Sequence, residues 1–441
     1  MRAILVIAAA GLVAGCGAVS DLNPFGTKDT RLVGDRTTVF STNSPLVGEG
    51  EAKAASIAPA RANADWPQPG GNAQNDPGHL AFSGSASRAW RASIGGKNTI
   101  SSAMGRGALR IASRPVMAGD KVFVYTPDGV VTALGATSGR RIWRTSLRPE
   151  GEGDAAAGGG VTVEGGRVFV ATGYGQVAAL SIGDGSVIWT RNIETPARGA
   201  PTAGSGKVFV VSQKNEVFAI NQEDGSEAFN YSGIPESAGL LAAASPAISG
   251  GKVVIPYSSG EVMAFSISDG EPVWQNFVTR SMRTLAISGL TDVSGSPVIE
   301  GDSVYATGVS GRTIAVRLSD GSKRWERNIG SAHTPVVSGD AVFIVDLGNR
   351  MVALSKSTGE TLWMTALPRP KKKRDHAYAG PVLAGGSLYA ISNDGRLAQI
   401  DPRTGQLVAD RDVGSAGFMA PIVARGQMII VSDSGEISAF R

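Results

Sequence analysis

Residues Pro246 to Trp274, PAISGGKVVIPYSSGEVMAFSISDGEPVW, read as three short strands and the start of a fourth. Pro246 to Ser249 opens the first, and Gly250-Gly251 turns the chain. Lys252 to Tyr257 is an apolar, β-branched run and makes the second. Ser258-Ser259-Gly260 turns it again, and Glu261 to Ser266 alternates as a third strand. Asp269-Gly270 is a hairpin signal, and Val273-Trp274 begins the fourth. One such antiparallel unit cannot bury both of its faces, so it requires copies of itself.

The copies are in the sequence. The glycine of the last turn recurs as Gly139, Gly185, Gly225, Gly270, Gly321, Gly359 and Gly405. Four residues after each stands Trp143, Trp189, Phe229, Trp274, Trp325, Trp363 and, as a lapse, Ala409. The glycines are spaced by 46, 40, 45, 51, 38 and 46 residues. A period of roughly 40–50 residues with four strands per repeat is the mark of a β-propeller. Identical spacing of the aromatics predicts a structural role, each ring packed flat between blades on its neighbour's backbone.

Strand openings near Pro115, Val161, Pro201, Pro246, Pro297, Pro335, Pro381 and Pro421 give eight blades. The eighth ends with the sequence at Glu436 to Arg441 and lacks a fourth strand. Ala89-Trp90-Arg91-Ala92-Ser93 has no opening before it and supplies the missing one. The expected fold is all-β: an eight-bladed β-propeller of four-stranded antiparallel blades, closed by pairing the N-terminal strand with the C-terminal blade. Closure removes exposed sheet edges. The 59 glycines fit this reading, and no helical period appears after the first residues.

Three segments are expected. Residues 1–15 carry Arg2 and the short apolar run Ala3 to Val13, too short to span a bilayer, and read as a signal peptide. Val13-Ala14-Gly15-Cys16 resembles the bacterial lipoprotein box, which implies that Cys16 is lipidated. The alternative is an ordinary signal peptide with an incidental cysteine, but Cys16 is the only cysteine in 441 residues. Gly17 stands where an aspartate would resemble an inner-membrane retention signal, which favours the outer membrane. Residues 16–64 are rich in Pro, Ser, Thr, Gly and Ala and read as a flexible tether, with one short strand conceivable over 31–40. The propeller is expected over 65–441.

Connections from one blade's fourth strand to the next blade's first are longer and more irregular than the turns within blades. They include Arg148 to Gly160, Asn230 to Ala244, Asn276 to Ser296 and Leu367 to Gly380. In a propeller they emerge on one face, where variable chemistry belongs. Gly158-Gly159-Gly160 reads as a loop, since no helix follows to receive a phosphate. Lys371-Lys372-Lys373-Arg374 is the one dense charge run. It is either a solvated loop or a contact for lipid headgroups or an acidic partner. A net charge of +4 is too small to decide, and export argues against nucleic acid.

Enzyme constellations are missing. His79, His333 and His376 stand in separate loops without metal-ligand spacing. There is no Cys-x-x-Cys-His haem site, no Gly-x-Ser-x-Gly elbow and no phosphate loop. The sequence assigns no catalytic residue, no metal ligand and no cofactor.

Two family resemblances sharpen this. Ala353-Leu-Ser-Lys-Ser-Thr-Gly-Glu-Thr-Leu-Trp363 resembles the tryptophan-docking repeat of quinoprotein dehydrogenases. Those enzymes bind pyrroloquinoline quinone and Ca²⁺ beneath an adjacent-cysteine disulfide, which a chain with Cys16 alone cannot form. An exported quinoprotein-like oxidoreductase or ligand-sensing propeller is therefore the alternative reading. The fuller resemblance is to the BamB family of lipoproteins of the outer-membrane β-barrel assembly machinery. It rests on the lipobox, the tether, eight docking-type blades, Thr291-Asp-Val-Ser-Gly-Ser-Pro297 and Val413-Gly-Ser-Ala-Gly-Phe-Met-Ala-Pro-Ile-Val423. It implies a non-catalytic scaffold that binds the periplasmic domains of BamA, sits among the other subunits of the complex, and meets nascent outer-membrane proteins.

Leu240-Leu241 are adjacent leucines in a connection otherwise made of Gly, Ala and Ser, either tucked beneath it or turned to a partner. Asp292 lies in the next connection, five residues before Pro297, and the three can form one patch. The resemblance implies contact with BamA through leucines, an arginine and two aspartates. Leu240 falls at a leucine position, Leu241 where the family has Arg, Asp292 at the first aspartate and Ser294 at the second. Leu240, Leu241, Asp292 and Ser294 are thus the expected partner-binding residues.

Overall fold

The structure is a computed structural model. It describes residues 52–84, 87–94, 111, 113–234, 244–279, 293–369, 376–414, 416–432 and 435–441. These form eight four-stranded antiparallel sheets. Blade one comprises Val116–Ala118, Lys121–Thr126, Val130–Gly135 and Arg141–Ser146. Blades two to seven span 159–192, 202–232, 247–277, 298–327, 336–366 and 378–412. Blade eight joins Ile422–Ala424, Gln427–Val431 and Glu436–Phe440 to Arg88–Ser93 from the other end of the chain, with Trp90 opposite Ala439. The propeller and its closure are as the repeat predicts.

Each blade applies one register. In blade five Tyr305 pairs with Ala315 and Ala315 with Trp325, and a bulge follows between Ala315 and Val316. The same shift recurs beside Ala133, Ala179, Ala219, Ala264, Ala353 and Gln399. A bulge sets two residues against one and re-aims the side chain beside it. Here it turns the aromatic inward over the ring of the second strand. The Phe343–Trp363 and Phe169–Trp189 centroids are 5.9 and 6.0 Å apart.

The aromatic then docks on the next blade. Trp274 Nε1 donates to Leu318 O at 2.8 Å, Trp325 Nε1 to Lys356 O at 2.9 Å and Trp363 Nε1 to Pro402 O at 3.1 Å. The indole lies on the glycine of that turn: a Cβ on Gly321 would come within 2.6 Å of Trp274. Gly321 also has φ +71°, so the turn and the close approach both require glycine. Trp90 plays this part for blade eight, reaching Ala136 O at 2.9 Å on blade one. The lapse at Ala409 follows from the same geometry. Its docking partner would be the turn between the third and fourth strands of blade eight, and that turn does not exist, because those strands come from opposite ends of the chain.

One part of the expected tether is described, and it is not free chain. Residues 52–64, assigned to it on composition, are bonded to the propeller. Lys53 N donates to Leu362 O and Ala55 N to Arg403 O, both at 2.9 Å. From here to Leu80 the chain makes a circuit of the first strands. Trp66 and Met117 exchange two bonds of 2.7 Å; Val163 N donates to Pro67 O, Gln68 Nε2 to Ala203 O, Ile248 N to Ala73 O and Ile299 N to Gln74 O. Ala58 N donates to Ser338 Oγ, Leu80 N to Leu383 O and Arg425 N to Asn63 O, which completes all eight blades. The physical reason is backbone demand. Most of the first strands are three residues long, and their remaining polar groups need partners. The segment behaves as a strap across the end of the ring that carries the turns between first and second strands. Residues 31–40 lie outside the described residues. A second difference is local: Gly159 and Gly160, read as loop, begin the first strand of blade two.

Candidate partner interface

Four antiparallel strands put the turns between strands one and two, and three and four, at one end of a blade. The turns between strands two and three, and the connections to the next blade, lie at the other. Two of those connections hold Leu240, Leu241 and Asp292, which lie outside the described residues, as do Cys16 and Lys371 to Arg374. Ser294 is described, and it is buried at 7% exposure with Oγ unpartnered among the described residues. It lies four residues before Val298, where the first strand of blade five begins.

What carries these connections is well defined. Asn215, buried at the turn of blade three, accepts from Ser258 Oγ of blade four at 3.0 Å. Its Nδ2 donates to Ile234 O at 2.7 Å, just after blade three's outermost strand. A Cβ on Gly233 would meet the Tyr257 ring at 2.8 Å, so the strand end lies flat on the neighbouring blade. Tyr257 is fully buried with its hydroxyl unpartnered among the described residues, and burial pushes its pKa up. Arg198 ties three elements: Nη1 donates to Pro256 O and Nη2 to Val293 O, each at 3.3 Å, while its own N donates to Val211 O at 2.8 Å. Burial lowers its pKa to about 10, so it stays cationic at neutral pH.

Above this floor two apolar side chains are open to solvent. Ile234 is 55% exposed and Phe277 47%. Phe277 ends the outermost strand of blade four and Ile234 lies two residues past that of blade three, both at the connection end, beside the two connections that hold the expected contacts. Sequence reading missed both. Phe277 was findable, because Trp274 points in and strand alternation turns Phe277 out. Elsewhere on the ring His333 is pushed down to about 4, by burial and then by the Arg114 charge, and is neutral. Among the described residues no group of three or more His, Cys, Asp or Glu is placed to hold a metal.

Comparisons with known proteins bear on the fold and the family. The family model described as outer membrane protein assembly factor BamB matches residues 127–365 and 346–441. The chain is 38% identical over 330 residues to the protein of that name from Vibrio cholerae, covering 73% of this chain and 82% of the relative. It is 28% identical over 362 residues to that from Yersinia pestis, covering 81% and 89%. Among solved structures it resembles BamB from Moraxella catarrhalis, with TM-score 0.65 and 21% identity over 74% of this chain and 94% of that one. It also resembles a quinohemoprotein alcohol dehydrogenase from Pseudomonas putida, with TM-score 0.64 and 13% identity over 86% and 80%, a likeness of fold alone.

Proposed function

The chain belongs to the family of the outer membrane protein assembly factor BamB, and from that premise we propose that it is a non-catalytic scaffold of the outer-membrane β-barrel assembly machinery. Cys16 carries the lipid that anchors it to the periplasmic face of the outer membrane, and the residues between Cys16 and the strap give reach. The connections after blades three and four bind the periplasmic domains of BamA through Leu240, Leu241 and Asp292. Ser294 supports the second connection from beneath. The observation that carries this reading is the exposed pair Ile234 and Phe277 on a braced floor. Apolar centres ringed by polar groups are what a partner desolvates, and a few anchors dominate such interfaces.

The test is co-purification of BamA from solubilised membranes. Leu240→Asp with Asp292→Arg should reduce recovered BamA by about tenfold or more. Changing Asp184 and Asp320, in turns at the opposite end, should leave it unchanged. Cys16→Ser should release the protein from the outer membrane while a soluble BamA fragment still binds. Equal loss from both charge variants, or none from the first, would sink the assignment.

A further inference from the structure

The repeat supplies its own control, because each blade states what a seam ordinarily contains. Three positions around the seam between blades five and six carry polar groups together. The residue whose carbonyl receives the docked indole is Ala136, Ile182, Leu318 or Pro402 in four blades and Gln222 in another; in blade six it is Lys356. The residue before the docking position is Ala89, Ile142, Ile188, Ala228, Val273, Leu362 and Val408 elsewhere; in blade five it is Arg324. The second-strand residue is Phe123, Phe169, Phe209 and Phe343 in four blades and Val254 and Ile429 in two more; in blade five it is Tyr305, a hydroxyl-bearing ring that only Tyr389 of blade seven matches.

These departures open a cleft of about 420 Å³, lined by Glu300, Ser303, Tyr305, Arg324, Asp340 and Lys356 among others. Lys356 Nζ meets Glu300 Oε2 at 3.0 Å across the seam. Arg324 Nη2 donates to Asp302 O at 3.2 Å and lies 3.6 Å from Asp302 Oδ2. Asp340 Oδ1 accepts from Ser56 N of the strap at 2.7 Å, which fixes one wall. Charged pairs are a poor way to close a seam, since apolar residues of similar size do so without the desolvation cost. Hydroxyls, amines and carboxylates nonetheless face one space large enough for a small ligand.

We propose that this cleft binds a neutral, hydroxyl-rich ligand, a glycan segment of one or two rings. The two cations of the lining, Lys356 and Arg324, are balanced by its two carboxylates, Glu300 and Asp340, so no ion is selected. Side by side, the donors and acceptors match vicinal hydroxyls, which donate and accept at once. Charged and hydroxyl groups stand among the apolar surface of the lining, as a sugar with polar edges and an apolar ring face requires. The cleft lies at the turn end, opposite the connections assigned to BamA, so it functions independently of that contact.

The full-length chain tests this against an array of neutral oligosaccharides built from glucose, galactose, mannose and N-acetylglucosamine, with pelleting by purified peptidoglycan sacculi as a second arm. Lys356→Ile and Tyr305→Phe install residues that other blades carry at these positions, so both variants should melt no lower than the starting chain. Lys356→Ile should weaken binding by about tenfold and Tyr305→Phe by about threefold. Binding on the array marks a free saccharide as sufficient; binding to sacculi alone, lost in Lys356→Ile, marks the polymer. No saturable binding in either arm, or binding that Lys356→Ile leaves intact, overturns the proposal. Asp292→Arg should leave glycan binding unchanged.

Discussion

Seven of the eight seams contrast with the last one. Each of the seven sets an aromatic ring on the next blade's glycine, and in six of them both halves of the joint are encoded at a fixed offset in the repeat, Trp90 alone coming from outside it. The seam between blades seven and eight has Ala409 in place of the ring and no glycine turn to receive one. It is closed instead by chain that does not repeat. Tyr389 of blade seven takes Phe82 of the strap as its ring partner, edge to face at 5.9 Å. Arg411 Nη1 donates to Gly84 O at 3.2 Å, and Arg88–Ser93 fills the outer edge of blade eight. A repeat can join every blade to the next except where the chain ends meet, and there a separate segment must be supplied.

Removing that segment's strand should have the largest effect. Deleting Arg88–Ser93 takes away Trp90, whose indole holds Ala136 O, and strips the edge of Glu436–Phe440. An open edge and a broken seam should cost cooperative unfolding and cause aggregation, read by urea titration and light scattering. A deletion that unfolds like the starting chain would mean the ring does not depend on its closure.

The repeated joint is tested by two glycines of similar backbone and different surroundings. Gly321 has φ +71° and lies under Trp274; Gly426 has φ +65°, and a Cβ added there would meet nothing within 4 Å. Gly426→Ala should cost about 1 kcal/mol, the left-handed strain alone. Gly321→Ala should cost about 3 kcal/mol, because the indole must also move. Equal midpoint shifts in urea would show that the docking contributes nothing beyond turn geometry.

The difference between the two regions also explains what could be read in the sequence. Glycine and aromatic recur at one spacing, so the blades, their number and the closing strand were legible. The strap was not. Its bonds run from backbone to backbone, and a stretch such as Ala52 to Ala64 looks like any linker when judged by side chains. At the candidate interface Leu240, Leu241 and Asp292 stood out by composition and resemblance, whereas Ile234 and Phe277 become visible only once inward and outward positions are assigned. Arg324 and Lys356 were present in the aligned repeats throughout, as charges in apolar columns.

The strap carries a titration that the repeats lack. Asp76 is pushed up to about 6, by burial first and then by the Glu300 charge, and its Oδ1 has no partner among the described residues. A carboxyl with a folded pKa above its unfolded value binds its proton more tightly when folded. It therefore adds nothing unfavourable below about pH 4; the cost accrues as the pH rises from about 4 to about 6 and is constant above that. Asp76→Asn should raise stability by about 2 kcal/mol near pH 7.5 and by almost nothing near pH 4. A gain that does not change with pH would trace to something other than the buried charge.

The smallest effect expected is at the lapse itself. If a tryptophan were enough to close a seam, Ala409→Trp would restore the rule and stabilise the eighth joint as the others are stabilised. The geometry says otherwise. Ala409 pairs with Gln399 in the same register that sets Trp363 opposite Ala353, so the new ring would be correctly aimed. It would find no glycine turn beyond it and no carbonyl placed as Pro402 O is for Trp363. Tyr389, moreover, already has Phe82 against it. Ala409→Trp should therefore leave the urea midpoint within about 1 kcal/mol of the starting chain. A clear gain would mean that indole burial alone holds the blades together and that the glycine is needed only to turn the chain.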